Sequence, residues 1–282
     1  MITDVVLRSL KSRSQLIPVD KLLNDCAASR MPEVIAQALT EPIATRIADV
    51  CPTGAITTES RVGEAMTLRL DYGKCIGCGR CMDAGDGAVR LAGSFSRCGV
   101  SRKELIRTWK INSEAEESNA AFPAVAREAI YGLIGRALNI RQLDPGSCNG
   151  CEAEITALTN PYYDLERWGI HFVASPKHAD MLLVTGPITS NMAAAARKTY
   201  EAVPWPKLVV AVGACGCSAG IFDPCNRASR PTETATIPRN EVIIGPVDSV
   251  LPVDGYIPGC PPTPPMLISG ILAVLRRRTL ER

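Results

Sequence analysis

The sequence predicts an α/β protein. A doubly wound parallel sheet over residues 123–282 follows a small α+β module over residues 1–98, with residues 99–122 as a linker. Three observations lead there. The apolar runs "MLLVTGPIT", "KLVVAVGACG" and "VDGYIPGCPP" each end in a Gly or Pro turn and are separated by helical segments. That is the pattern of buried parallel strands joined by crossover helices. Eight of the twelve cysteines fall into two spaced sets, one in each half. A polar stretch, "NSEAEESN" at 112–119, separates the halves.

The bulk properties narrow the function class. Lys and Arg total 31 against 29 Asp and Glu, a net charge of +2, which gives no electrostatic case for nucleic acid. The longest apolar candidate, "MLISGILAVL" (266–275), is about half of the roughly 20 residues a spanning helix needs, and it ends in Arg276, Arg277 and Arg278. That arginine run suits the negative end of a helix dipole. The N-terminus has charges within its apolar stretch and does not read as a secretory signal. A cytoplasmic location is expected. Disulfides are disfavoured there, so metal binding is the first explanation for the cysteines.

Along the chain, the first cysteine set comes first. Cys75, Cys78 and Cys81 have the C-x2-C-x2-C spacing of three iron–sulfur ligands, but Gly85 stands where a fourth cysteine would follow. In two-cluster bacterial ferredoxins the fourth ligand comes from a distant Cys-Pro pair. "DVCPTGAI" supplies one, Cys51 followed by Pro52. The other half-motif would need cysteines at 41, 44, 47 and 85, and the chain has Glu41, Ala44, Ile47 and Gly85. The loss is coordinated, so one [4Fe–4S] cluster is expected on Cys51, Cys75, Cys78 and Cys81. A zinc site on the same residues is the alternative, although zinc favours paired C-x2-C knuckles. Residues 41–93, through "CPTGAI" and "CIGCGRC", resemble a bacterial-type ferredoxin domain reduced to one cluster; "CAASRMPEVIAQALTEP" upstream departs from that pattern.

After the linker, Ala126, Ile130, Leu133, Ile134 and Ala137 recur at helical spacing, with Pro123 in the first turn. They predict a helix over 124–138 that faces the core or, alternatively, a partner. Further helices are expected at 191–203 and in "PPMLISGILAVLRRR". In a doubly wound sheet, ligands sit at the carboxyl ends of the strands, where Cys215 and Cys260 fall.

The second set comprises the Cys148–Cys151 pair in "SCNGCEAEI", Cys215 in "VGACGCSAGIF" and Cys260 in "VLPVDGYIPGCPPTP". With "VASPKHADMLLVTGPIT", these motifs resemble the small electron-transfer subunit of energy-converting, membrane-bound [NiFe] hydrogenases, and the homologous B subunit of NADH–quinone oxidoreductase, complex I. The resemblance covers about residues 124–278. It implies a flavodoxin-like α/β domain with one [4Fe–4S] cluster on Cys148, Cys151, Cys215 and Cys260. The complex I subunit typically has adjacent cysteines at the first motif. Here Asn149 and Gly150 separate them, as in the hydrogenase branch, which favours a hydrogenase or formate-hydrogenlyase type complex.

The resemblance further implies an electron-relaying subunit whose catalysis is completed by a large subunit of nickel–iron hydrogenase or complex I D-type. Other iron–sulfur subunits and, indirectly, membrane-arm subunits would be partners, placing the chain peripherally on the cytoplasmic face. In complex I the chain would share a quinone pocket. A zinc-stabilised scaffold without redox activity is the rival from another class. Glu152 and Glu154, after the first ligand pair, are candidate proton relays, or solvated or interfacial carboxylates. Cys26, Cys98, Cys217 and Cys225 complete no further set and read as spare thiols; His171 and His178 read as structural.

Overall fold

The structure is a computed structural model that describes residues 30–60, 65–92, 98–111, 136–223 and 242–280. Most of the helix expected over 124–138 lies outside these residues, as do Cys26 and Cys225.

The first module opens with strand β1 (Pro32–Val34) and helix α1 (Glu41–Asp49). The hairpin β2 (Ile56–Glu59) and β3 (Thr67–Asp71) follows. Helix α2 (Arg80–Ala84) and strand β4 (Val89–Leu91) complete it, β4 pairing antiparallel with β1. Two helices over antiparallel strands make the small α+β unit the sequence predicts. Its core holds Ile47, Leu68, Leu70 and Tyr72, each at most 1% exposed.

Residues 98–111 differ from expectation. The first part of the anticipated linker is ordered: strand β5 (Ile106–Lys110) pairs antiparallel with β3, so the hairpin becomes a three-stranded sheet. Leu105, Trp109 and Ile111 are buried beneath it. With polar residues at 107, 108 and 110 around few apolar ones, the segment looks like a connector, yet those few apolar side chains suffice to anchor an edge strand. Residues 112–122 lie outside the described residues.

The second half is built on five parallel strands. They are β6 (Leu138–Leu143), β7 (Ile170–Phe172), β8 (Met181–Thr185), β10 (Leu208–Val212) and β12 (Gly255–Ile257). The order across the sheet is β12-β10-β8-β6-β7. Numbered by their own sequence that is 5-4-3-1-2, the flavodoxin-like order read from its other edge. A short antiparallel pair, β9 (Ile188–Thr189) with β11 (Ile243–Gly245), sits beside it. The helices are α3 (Gly150–Ala157), α4 (Ser190–Ala202), α5 (Gly213–Ser218) and α6 (Pro264–Leu280). Leu138, expected to end a helix, instead begins β6. Among the described residues no helix is long and apolar enough to cross a membrane.

Both sheet faces are buried, as parallel strands require. Met181, Leu183, Leu208, Val210 and Val212 pack with Leu267, Ile268 and Ile271 of α6 and with Ile155 of α3. The alternate residues Leu182, Val184, Val209 and Ala211 belong to a second cluster continuous with the core of the first module. The two halves therefore share apolar packing.

Polar contacts reinforce the first module and its junction with the second half. Arg102 donates two hydrogen bonds of 2.8 Å to Asp71, which is 6% exposed. The Gly99 and Tyr256 backbones exchange hydrogen bonds of 3.1 and 2.7 Å. Removing one partner of a buried pair strands the other charge. Arg102→Ala is therefore expected to destabilise the chain by about 3 kcal/mol in equilibrium urea unfolding, and Arg102→Lys, lacking the planar fork, to recover only part of it.

Candidate metal centres

Cys51 follows α1, Cys75 and Cys78 lie in the loop after β3, and Cys81 is in α2. All four line one pocket, together with Arg30, Pro32, Thr53 and Ile76. The tight loop lets the Gly77 N–H point at Cys75 Sγ, 3.4 Å away. The buried Thr53 hydroxyl lies 3.9 Å from Cys51 Sγ.

The opposite end of this module is solid. Ala44 and Ile47, at positions where a two-cluster ferredoxin pattern requires cysteine, are fully buried. A Cβ at Gly85 would lie 2.6 Å from the Cys81 carbonyl and 3.5 Å from Ile47 Cγ2. No cysteine side chain fits at 85 without displacing the backbone, and aliphatic packing occupies the neighbouring space.

The second quartet gathers at the carboxyl ends of three strands, as the doubly wound topology leads one to expect. Cys148 and Cys151 follow β6, Cys215 lies in α5 directly after β10, and Cys260 follows β12. The Ala214 N–H donates to the Gly259 carbonyl at 2.7 Å, tying the Cys215 segment to the Cys260 loop. Two glycines are needed for the sulfurs to fit. A Cβ at Gly213 (φ +80°) would stand 2.7 Å from Cys151 Sγ, and one at Gly220 (φ +56°) 2.9 Å from Cys215 Sγ. Both also adopt left-handed backbone that other residues resist. Both glycines lie in "VGACGCSAGIF", where glycine next to the cysteines lets backbone approach the sulfurs closely.

Burial governs the electrostatics. It pushes the thiol of Cys75 up to about 12, Cys81 to about 11 and Cys215 to about 12, with the neighbouring cysteines of each quartet adding to the effect. Cys151 and Cys260 are raised for the same reasons. Each quartet is thus an electrostatic unit that resists carrying negative charge until a cation compensates it. Among the described residues no three His, Cys, Asp or Glu side chains converge closely enough to hold a single ion. Soft thiolates suit iron–sulfur clusters, zinc or copper(I).

The remaining candidates are placed plainly. Both carboxylate oxygens of Glu152 are buried without a hydrogen-bond partner among the described residues. Burial raises the Glu154 carboxyl. Cys217 is fully buried, and its thiol points at the Ala211 and Ile257 carbonyls at 3.7 and 3.6 Å; Cys98 approaches the Met266 carbonyl at 3.6 Å. His178 ends a short 3-10 turn before β8, and His171 lies in β7.

The flavodoxin-ordered sheet thus carries one cysteine quartet at its strand ends, and the small α+β module before it carries a second. Residues 148–274 match the family of the NADH ubiquinone oxidoreductase 20 kDa subunit, and the chain belongs to that family. The chain is similar to a probable membrane-bound hydrogenase subunit, MbhJ, of Pyrococcus furiosus, 39% identical over 145 residues, 51% of this chain and 78% of that one. Formate hydrogenlyase subunit 7 of Escherichia coli is 41% identical over 152 residues, 54% of each chain. The B subunit of the NADH-quinone oxidoreductase of Citrifermentans bemidjiense is 39% identical over 132 residues, 47% of this chain and 68% of that one. Among solved structures, a chain of the archaeal membrane-bound sulfane sulfur reductase aligns with a TM-score of 0.42 and 31% identity, covering 54% of this chain and 77% of its own. The family match begins at Cys148, so the first module lies outside it.

Two outcomes follow. The raised thiols keep their protons in the folded, metal-free chain, while the unfolded chain loses them above the ordinary value of 9.0. The folded state then binds more protons, so stability falls as pH rises from about 9 towards 12. Urea midpoints of the metal-free chain should decline across that window, and far less once metal holds the thiolates. Gly213→Ala should leave the fold in place by circular dichroism but lower the metal content of the second quartet, read by elemental analysis.

Proposed function

We propose that the chain is the electron-transfer subunit of a multisubunit, membrane-associated oxidoreductase of hydrogenase or formate-hydrogenlyase type, carrying two [4Fe–4S] clusters. Cys51, Cys75, Cys78 and Cys81 would hold the first, and Cys148, Cys151, Cys215 and Cys260 the second. The observation that carries this reading is the collection of eight thiols, from segments well separated in sequence within each half, into two quartets. The donor sets contain sulfur alone. Gly213 and Gly220 leave room for bulk beside Cys151 and Cys215. Zinc favours paired C-x2-C knuckles, whereas the C-x2-C-x2-C run with a distant Cys-Pro pair suits an iron–sulfur cluster.

Iron–sulfur clusters supply one-electron chemistry at potentials set by burial and by hydrogen bonds to sulfur. This chain's residues provide both. Gly77 N–H donates toward Cys75, favouring the electron-rich state of that sulfur, and the Thr53 hydroxyl lies beside Cys51, where it would donate to a cluster-bound thiolate. The glycines beside the second quartet bring backbone close to it, and the sheet behind excludes water. Cys148 and Cys260 are exposed, which leaves one side of that quartet free to face a catalytic large subunit. The Cys-x2-Cys spacing at 148 and 151, with the named hydrogenase and hydrogenlyase relatives, supports the hydrogenase branch; the quinone-oxidoreductase relative keeps an NADH–quinone oxidoreductase as the second reading. Membrane attachment on the cytoplasmic face would come through partner subunits.

Anaerobically purified protein is expected to hold roughly eight irons and eight sulfides, with a broad absorption that bleaches on dithionite. Cys51→Ser and Cys215→Ser should each reduce iron to about half, one leaving each signal. Colourless protein with stoichiometric zinc would sink the proposal. The neighbouring large subunit is expected to carry paired C-x2-C motifs at its two ends in the hydrogenase case and to lack them otherwise.

A further inference from the structure

A buried hydroxyl lies between the segments that carry the two quartets. Ser218, in the last turn of α5, is 7% exposed, and its Oγ lies 2.8 Å from the Gly73 carbonyl oxygen. Gly73 is two residues before Cys75, and Ser218 is three residues after Cys215. The same Oγ lies 3.0 Å from the carbonyl of Ala214, the residue before Cys215, and accepts the Gly220 N–H at 3.3 Å. The Gly73 peptide is gripped from its other side as well, because its N–H donates to Asp71 Oδ1 at 2.9 Å and Arg102 holds Asp71. The Lys74–Asp223 ion pair, at 3.7 Å, spans the same junction. A serine hydroxyl has one proton. With the shorter distance to Gly73, it bonds across the junction and not only back along its own helix.

Resting on the two-cluster reading above, we propose that the Ser218 hydroxyl is the electronic joint between the two centres. The route runs from Cys75 through the Lys74 and Gly73 peptides, across the hydrogen bond, and into the α5 turn that carries Cys215. Electron tunnelling decays less steeply through bonds and hydrogen bonds than across a van der Waals gap, so such a contact sets the coupling. In the step, the first centre is oxidised by one electron and the second is reduced by one; no bond forms or breaks and no proton leaves. Ser218 is thus a positioning residue of the wire.

The test uses the whole iron-loaded chain, a photo-excited ruthenium complex as one-electron donor, and freeze-quenched paramagnetic resonance to follow equilibration between the two reduced signals. Ser218→Ala should slow equilibration several-fold with iron content and signal shapes retained, and Ser218→Thr, which keeps the hydroxyl, should restore it. Asp223→Asn, which removes the ion pair and leaves the hydroxyl, should keep the native rate. An unchanged rate in Ser218→Ala, or equal slowing in Asp223→Asn, would overturn the assignment. If Ser218→Ala loses iron, Ser218→Cys, with a weaker donor in the same place, carries the comparison with the same expectations. Iron analysis of the unaltered chain separates the two claims: fewer than two clusters defeats the two-cluster reading itself, whereas two clusters with an insensitive rate defeats only the joint.

Discussion

Everything in this molecule hangs on a parallel sheet that is buried on both faces. Along β8 and β10 the side chains alternate between two cores, one shared with α3 and α6 and the other shared with the first module. Parallel strands cannot leave a face to water without exposing apolar residues, so both layers are obligatory. The strands deliver three cysteine-bearing segments to one edge, and the first module, packed against the sheet, delivers the other quartet. The relative placement of the two centres is therefore a result of core packing and not of a tether.

Within that frame the sulfurs impose their own demand. A quartet of bulky, polarisable atoms has to be approached by backbone more closely than a β-carbon permits. Gly213 and Gly220 answer it beside the second quartet, while at the filled end of the first module the same economy of space excludes a ligand at Gly85. Where a cluster pattern is incomplete, Ile47 and Ala44 close the volume, so the loss of ligands is matched by a gain of aliphatic packing.

Much of this was legible in the sequence, for definite reasons. β8, β10 and β12 were visible as short apolar runs ending in Gly or Pro, and α4 and α6 as longer segments between or after them. Cys75, Cys78 and Cys81 and the Cys148–Cys151 pair were visible by spacing, Cys51 by its Cys-Pro pair, and Cys215 and Cys260 through the family resemblance. β6 was hidden because Arg141 and Gln142 interrupt its apolar alternation, and because Leu138 also fitted the end of a helical repeat. The α5 turn was hidden because two glycines in "GACGCS" argue for a loop, whereas the strand end and the Gly259 carbonyl hold it helical. β5 was hidden because its burial comes from partners far along the chain. Ser218 could not be read at all, since its partner lies 145 positions away.

The two-faced sheet has a consequence for solubility. Leu182, Val184, Val209 and Ala211 form a surface that water cannot be allowed to wet, and its cover is shared: Ala193 and Ala196 of α4 with Val247 and Leu251 supply one part, and the core of the first module continues it. Neither half carries the whole of its own lining, so the integrity of each is a property of the undivided chain.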